Sequence, residues 1–274
     1  MSDDSQTPGP VAAGEAEDSG AASVTSTVDS GRSVRAVVGR AAVIIVTATL
    51  VGRLLGLARD MVVANFFGAR PEADAFFLAF KVPYLLTLMV TGALTATFVP
   101  LFSYRLATGR KREAWDLSVN MGNIIAVVLA ALSATLVGIA QWFIPLIGPG
   151  LDDETTAQGV FLFRILMIGL VFEGLTGLVI GMLNSLRRFA LAAFAPAVGT
   201  VVTLIITIVF EPSLGITSLA IGFVAGWVAG LLVLFPGLRG ERVQYRPRID
   251  WHDPGVREVG GMIWPILIGS AVGK

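Results

Sequence analysis

Apolar residues in this chain run in unbroken blocks rather than alternating with polar ones. A helix needs about 20 predominantly apolar residues to cross a bilayer. Six segments reach that length: roughly 36–67, 75–104, 114–147, 158–185, 190–211 and 214–238. A seventh starts near residue 256 and stops at Lys274 before completing a crossing. The pattern predicts an all-α polytopic membrane protein. A six-helix block occupies 36–238, a cytoplasmic linker 239–255, and the truncated start of a seventh helix 256–274. A chain that ends in mid-pattern reads as the N-terminal half of something longer.

Residues 1–35 break the pattern. They are rich in Ser, Gly, Ala, Thr and acid, with almost no large apolar side chains. Such a stretch cannot bury enough surface to offset its ordering entropy, so a disordered acidic tail is expected. It has neither the basic start nor the apolar stretch of a signal peptide.

Composition sharpens the membrane reading. The chain is 54% hydrophobic and only 15% charged, against about 25% charged in soluble domains. Its formal net charge of zero conceals a split. Of 20 acids, six lie in residues 1–31, which contain no Lys or Arg, so the remainder carries 14 acids against 20 bases. With no cysteine and one histidine, His252, disulfides are excluded and a histidine metal site is not expected. The bases cluster in alternate connections. Arg32, Arg35 and Arg40 precede span one, and Arg105, Arg110, Lys111 and Arg112 follow span two. Arg187 and Arg188 follow span four, and Arg239, Arg242, Arg246, Arg248 and Arg257 follow span six. The intervening connections are acidic or nearly neutral, with Arg70 their one base. Cytoplasmic loops carry the excess of Lys and Arg, so the N-terminus is predicted to be cytoplasmic. The basic loop "GRKRE" follows from topology rather than nucleic-acid binding. No P-loop, GxSxG or HExxH signature is present, and no enzyme is expected.

The stretch "VGRLLGLARDMVVANFFGARPEADAFFLAFKVP" places Arg53, Arg59, Asp60, Asp74 and Lys81 in or beside two spans. A charge at the centre of a membrane helix costs about 2.5–3.5 kcal/mol on insertion scales. These five must therefore pair, line a wet cavity or reach an interface. Arg53 and Asp60 are seven residues apart, as are Asp74 and Lys81, so each helix offers a base and an acid on one stripe. Arg59 lies about 100° away from that stripe. One reading is a cation-lined cavity for an anionic substrate, since the Arg fork matches phosphate. The other is structural: mutual pairing that locks the two helices, or snorkelling of Arg59, Asp60 and Asp74 at the outer interface.

Further polar residues lie inside spans. Glu173 is deep in span four and suggests a proton or ion site, or a hydrogen bond to a neighbouring helix. Arg164, about two turns from one end, could snorkel outward. Asn120 and Asn123 open span three. Gly177 and Gly181, four residues apart in "GLTGLVIG", form a close-packing face.

Five stretches taken together resemble the MurJ/MviN family, the lipid II flippases of the MOP superfamily that also contains the MATE antiporters. They are "GRLLGLARD" (52–60), "FGARPEADAFFLAFKVPYLL" (67–86), "GALTATFVPLF" (92–102), "GMLNSLRRFALAAFAP" (181–196) and "PRIDWHD" (247–253). The resemblance implies a MATE-like N-lobe of six transmembrane helices in the bacterial inner membrane. It also implies a second lobe, and between the lobes a cationic cavity that opens alternately to either side. The cargo would be the undecaprenyl-pyrophosphate-linked peptidoglycan precursor. Arg53 and Arg59 match the family's cavity arginines, and Asp60 and Asp74 match its acids. The chain departs from the family pattern after "KVP", where Tyr84, Thr87 and Leu88 replace an Asn and two arginines.

The expected partners are a lipid-linked glycan, the phospholipid bilayer and cell-wall synthesis proteins, with no nucleic acid. No cofactor is expected; a membrane potential or an ion gradient would supply the energy. Two other functions fit the residues: a MATE-like cation-coupled exporter, and a non-transporting scaffold that docks through the acidic tail.

Overall fold

A computed structural model describes residues 16–241 and 249–261. Regular structure among them is helical throughout. The helices are α1 (Ala16–Phe66), α2 (Pro71–Ala107), α3 (Lys111–Ile147), α4 (Asp153–Ser185), α5 (Phe189–Leu214) and α6 (Thr217–Leu234). A 3₁₀ turn, Phe235–Leu238, follows α6, and residues 254–261 are again helical. Each of the six long helices holds a stretch long and apolar enough to cross a membrane. The protein is a multi-pass membrane protein. By contact clustering the chain divides into one unit up to Ile44 and another from Ile45. The bundle described below belongs to the second.

The disordered tail expected over 1–35 lies in part outside the described residues. Residues 16–35 form the start of α1, whereas residues 1–15 lie outside the described residues. Low apolar content argues against a packed core, but a helix growing outward from an existing one needs no core and no new nucleus. Alanines favour its extension. The expected linker over 239–255 is described only in part, because 242–248 lie outside the described residues. The truncated seventh span starts its helix at 254, and its continuation beyond 261 is likewise outside them.

The helix ends follow local chemistry. Pro71 opens α2 behind the N-cap Arg70, with Glu72 and Asp74 in the first turn, where acids favour the dipole. Asp152 caps α4 by accepting from the Thr155 backbone N–H at 3.3 Å. The hydrogen bonds from Thr155 hold its carboxyl below the usual aspartate range. At the other face of the bundle α2 and α4 end alike. Arg110 N–H donates to Arg105 C=O and Gly109 N–H to Leu106 C=O. After α4, Arg188 N–H donates to Leu183 C=O and Arg187 N–H to Asn184 C=O. Both are Schellman closures, which put the residue after the cap in the left-handed region. Gly109 sits there at φ 78° and Arg187 at φ 60°.

α4 is the central pole, packing against α2, α3, α5 and α6. That placement explains why it is apolar on every side and has no single hydrophobic stripe. Gly177 and Gly181 let α2 approach, their absent Cβ atoms replaced by Thr91 and Val99. Gly174 does the same for Leu129 of α3. The core between α2, α3, α4 and α6 is filled by Phe98, Phe102, Leu117, Phe163 and Leu166.

α5 and α6 cross closest. Gly222, Gly226 and Gly230 recur every four residues on α6, a repeat the reading of span four alone did not use. A Cβ on Gly226 would stand 2.5 Å from the Gly199 carbonyl oxygen, and one on Gly199 would stand 2.8 Å from that of Gly226. Thr203 Oγ1 donates across the crossing to Gly222 C=O at 3.1 Å. Gly226→Val therefore forces two backbones apart, and overpacking of this kind costs about 1–3 kcal/mol. The thermal midpoint of the solubilised protein, followed by helical circular dichroism, should fall by several degrees. Gly138→Ala, where a Cβ meets nothing within 4 Å, should not lower it.

Candidate functional site: a cation-lined cavity between α1, α2 and α6

The site is built on an aromatic wall. Phe76, Phe80 and Tyr84 recur every four residues along one face of α2. Phe76 and Phe80 stack at 5.7 Å, and Phe80 and Tyr84 at 5.8 Å. Phe223 of α6 closes on Phe80 at 4.6 Å. Against this wall lies a cavity of about 580 Å³ lined by Arg59, Asp60 and Lys81, among other residues.

Arg59 is held in two ways. Its guanidinium carbon lies 5.3 Å from the centre of the Phe223 ring, a cation–π contact worth about 0.5–2 kcal/mol depending on desolvation. Its Nε and Nη2 both donate to Asp60 Oδ1, at 3.2 and 3.0 Å. The fork therefore closes on a single carboxylate oxygen and leaves Nη1 to the cavity. Arg59 keeps 31% of its side-chain exposure and Asp60 keeps 67%, so the base faces the bundle and the acid faces away. Lys81 is exposed on the α2 side of the same cavity, with no ion pair among the described residues.

The five sequence-predicted charges thus separate. Arg59, Asp60 and Lys81 share a cavity, whereas Arg53 and Asp74 do not line it. Spacing by sevens sets an angle around each helix but not a depth along it. At 1.5 Å per residue, Asp60 lies about 9 Å from the α1–α2 connection and Lys81 about 15 Å. Asp74 lies only about 5 Å away and Arg53 about 20 Å. Arg59, set apart from the stripe in the sequence, is the residue turned towards the bundle. Arg53 is exposed on the α1 face that also exposes Leu50, Leu54 and Leu57. Asp74 is exposed in the first turn of α2, where it complements the helix dipole.

Glu173 lies elsewhere, half-buried in a second cavity of about 310 Å³ that it shares with Arg59, Thr176, Thr200, Thr203 and Phe223. Arg59 and Phe223 line both cavities and so form the partition between them. Asn120 has a structural role. Its amide donates to Asp250 C=O at 2.9 Å and accepts from Asp250 N–H at 2.8 Å, clamping the segment before residue 254 onto α3. Arg164 is exposed, in keeping with snorkelling.

Sequence reasoning missed the aromatic wall and the partition. The i, i+4, i+8 rings of α2 were there to be seen. Phe223, more than 130 residues further on, had no local signal tying it to Arg59.

Known proteins bear on this arrangement. The family model described as lipid II flippase MurJ matches residues 63–273, a span that opens just after the α1 charges. A probable lipid II flippase MurJ of Vibrio cholerae is 30% identical over 249 residues, covering 86% of this chain and 47% of that protein. The lipid II flippase MurJ of Burkholderia cenocepacia is 32% identical over 241 residues, covering 82% and 46%. The chain thus spans about half the length of the curated relatives it matches. Among solved structures, an inward closed lipid II flippase MurJ superposes with a TM-score of 0.70 at 24% identity, over 83% of this chain and 48% of that one. A MATE structure in the straight conformation gives 0.70 at 14% identity, over 86% and 53%. At these identities the likeness establishes the fold.

The chain contains no cysteine, so single introduced thiols report water access without background. In lipid vesicles, Lys81→Cys and Asp60→Cys should react with a polar maleimide. Ala79→Cys, at a fully buried α2 position, should stay unlabelled until the protein is denatured.

Proposed function

Because the chain belongs to the lipid II flippase MurJ family, we propose that it supplies one wall of the pathway along which a flippase moves lipid II. The cargo is the undecaprenyl-pyrophosphate-linked peptidoglycan precursor, carried from the cytoplasmic to the outer leaflet by alternating access. One observation carries this reading: Arg59 and Lys81 converge on a single cavity against an aromatic wall, with Asp60 alone to offset them. A pyrophosphate would supply the missing negative charge. Arg59 Nη1 and Lys81 Nζ are the donors left for it, and charge-assisted bonds of this type contribute about 1.5–3 kcal/mol each. The ring faces of Phe80 and Tyr84 offer an apolar surface for sugar. Arg53, deeper on the exposed face of α1, is a second contact as the cargo advances, and Asp74 marks the outer end of the route.

The protein is a transporter and not an enzyme. Its membrane is the bacterial cytoplasmic membrane, with the basic connections and the N-terminus inside. Energy comes from the membrane potential or an ion gradient. A potential negative inside favours outward movement of an anion by about 2.3 kcal/mol per charge per 100 mV. Cell-wall synthesis proteins that supply or take up lipid II are its partners. Thr87, where many family members carry Arg, favours one runner-up, a different lipid-linked glycan as cargo.

The test is complementation. The open reading frame that encodes this chain is placed in a bacterium whose own lipid II flippase can be switched off. Growth should be restored by the native gene and lost with Arg59→Ala, with both proteins present in the membrane at equal levels. Failure of the native gene would discard lipid II as cargo, and restoration by Thr87→Arg would then identify the runner-up. Orientation has its own check. In spheroplasts an impermeant maleimide should label Asp153→Cys and spare Thr108→Cys; the reverse pattern would invert the topology.

A further inference from the structure

The second cavity, behind Arg59, is lined by glycines, rings and threonine hydroxyls around one acid. Three threonine hydroxyls that face it have already committed their protons to backbone carbonyls. Thr176 donates to Phe172 C=O at 2.8 Å and Thr200 to Pro196 C=O at 3.0 Å, and Thr203 shares its proton between Gly199 C=O at 3.0 Å and Gly222 C=O at 3.1 Å. What they present to the cavity is oxygen lone pairs. Glycines 177, 199, 226 and 230 keep the space open. Into this lining of acceptors projects the carboxyl of Glu173, with no hydrogen bond or ion pair to any described residue.

An ionised carboxylate needs donors or a counter-charge, particularly inside a membrane. Of the elements around the cavity, α1 offers one charged group, Arg59. From α2, α5 and α6 come Thr91, Thr200, Thr203, Phe223 and Trp227, none of them charged. A protonated carboxyl has the opposite need: it donates one bond, and the threonine oxygens are ready to accept it. Arg59 can serve the ionised form. It sits on the partition formed with Phe223, and in this structure its fork closes on Asp60 at 3.0 Å, on the other side. Arg59 and Glu173 line the same inner cavity, so the guanidinium borders both carboxylates.

We propose that Glu173 is a binding site for an exchangeable proton, and that its ionised form draws Arg59 away from Asp60 into the inner cavity. With Glu173 protonated, Arg59 serves the outer cavity, as seen here. With Glu173 ionised, Arg59 is withdrawn and Asp60 is left without its partner. The site stands whether or not lipid II is the cargo, because both of its states are defined within this chain.

The experiment is infrared difference spectroscopy across a pH titration of the purified chain in lipid membranes, with no cargo present. The protonated-carboxyl stretch should grow as pH falls, and Glu173→Gln should remove one component of it, distinct from that of the exposed carboxylates. Glu173→Asp, which keeps the acid, should retain that component. Arg59→Gln removes the cation that stabilises the ionised form, so the proton is held to higher pH. The midpoint should rise by about one pH unit or more. A titration difference spectrum that Glu173→Gln leaves unchanged, or a component that Glu173→Asp fails to retain, would overturn the proton site. A midpoint unmoved by Arg59→Gln would overturn the exchange of Arg59 between the two acids. None of these readings depends on flipping, so they can fail while the flippase reading survives, and the reverse.

Discussion

The cost of placing charge in hydrocarbon governs this lobe. An unpartnered cation at a helix centre is expensive enough that its surroundings must compensate. Arg59 meets that demand in three ways at once: the Phe223 ring beneath it, the Asp60 carboxylate beside it, and open cavity on both sides. Each support is partial. The ring attracts but does not neutralise, and Asp60 engages the fork through one oxygen. A guanidinium held this way is ordered yet retains bonding capacity, which a fully enclosed salt bridge does not.

The small residues that allow the bundle to pack also shape its cavities. Gly199 and Gly226 bring α5 and α6 into backbone contact, and both line the inner cavity with Gly177 and Gly230. A single device therefore has two results. Removing side chains brings helices together where they face each other and leaves space where they diverge. In a bilayer, where lipid is as apolar as leucine, close approach and interhelical hydrogen bonds such as Thr203 to Gly222 are what hold helices in place. Larger residues at these glycines would disturb packing and fill the cavity together.

Much of this organisation was legible in the sequence. The six spans, their alternating basic connections and the charges of the first two helices follow from block hydropathy and loop composition. The close-packing glycines of α4 were readable from spacing alone. The depth of a charge along its helix was not, because periodicity reports angle, and that is why Arg53 and Asp74 separate from Asp60 and Lys81. Contacts between distant segments were also hidden. Nothing local ties Phe223 to Arg59, or Asn120 to Asp250.

Two readings of the intramembrane charges were left open by sequence: a lock between helices, or a receiving site. The charge balance of the outer cavity is what supports the second, as proposed above. A lock would be neutral and closed, with each base spent on an acid. Here two bases face one acid, Lys81 has no ion pair among the described residues, and the wall behind them is made of phenyl rings that contribute no negative charge. Such an arrangement is stable in a membrane only while water or an anion fills the excess. The pairing between Arg59 and Asp60 keeps the guanidinium ordered while its remaining N–H groups stay available to whatever fills the cavity.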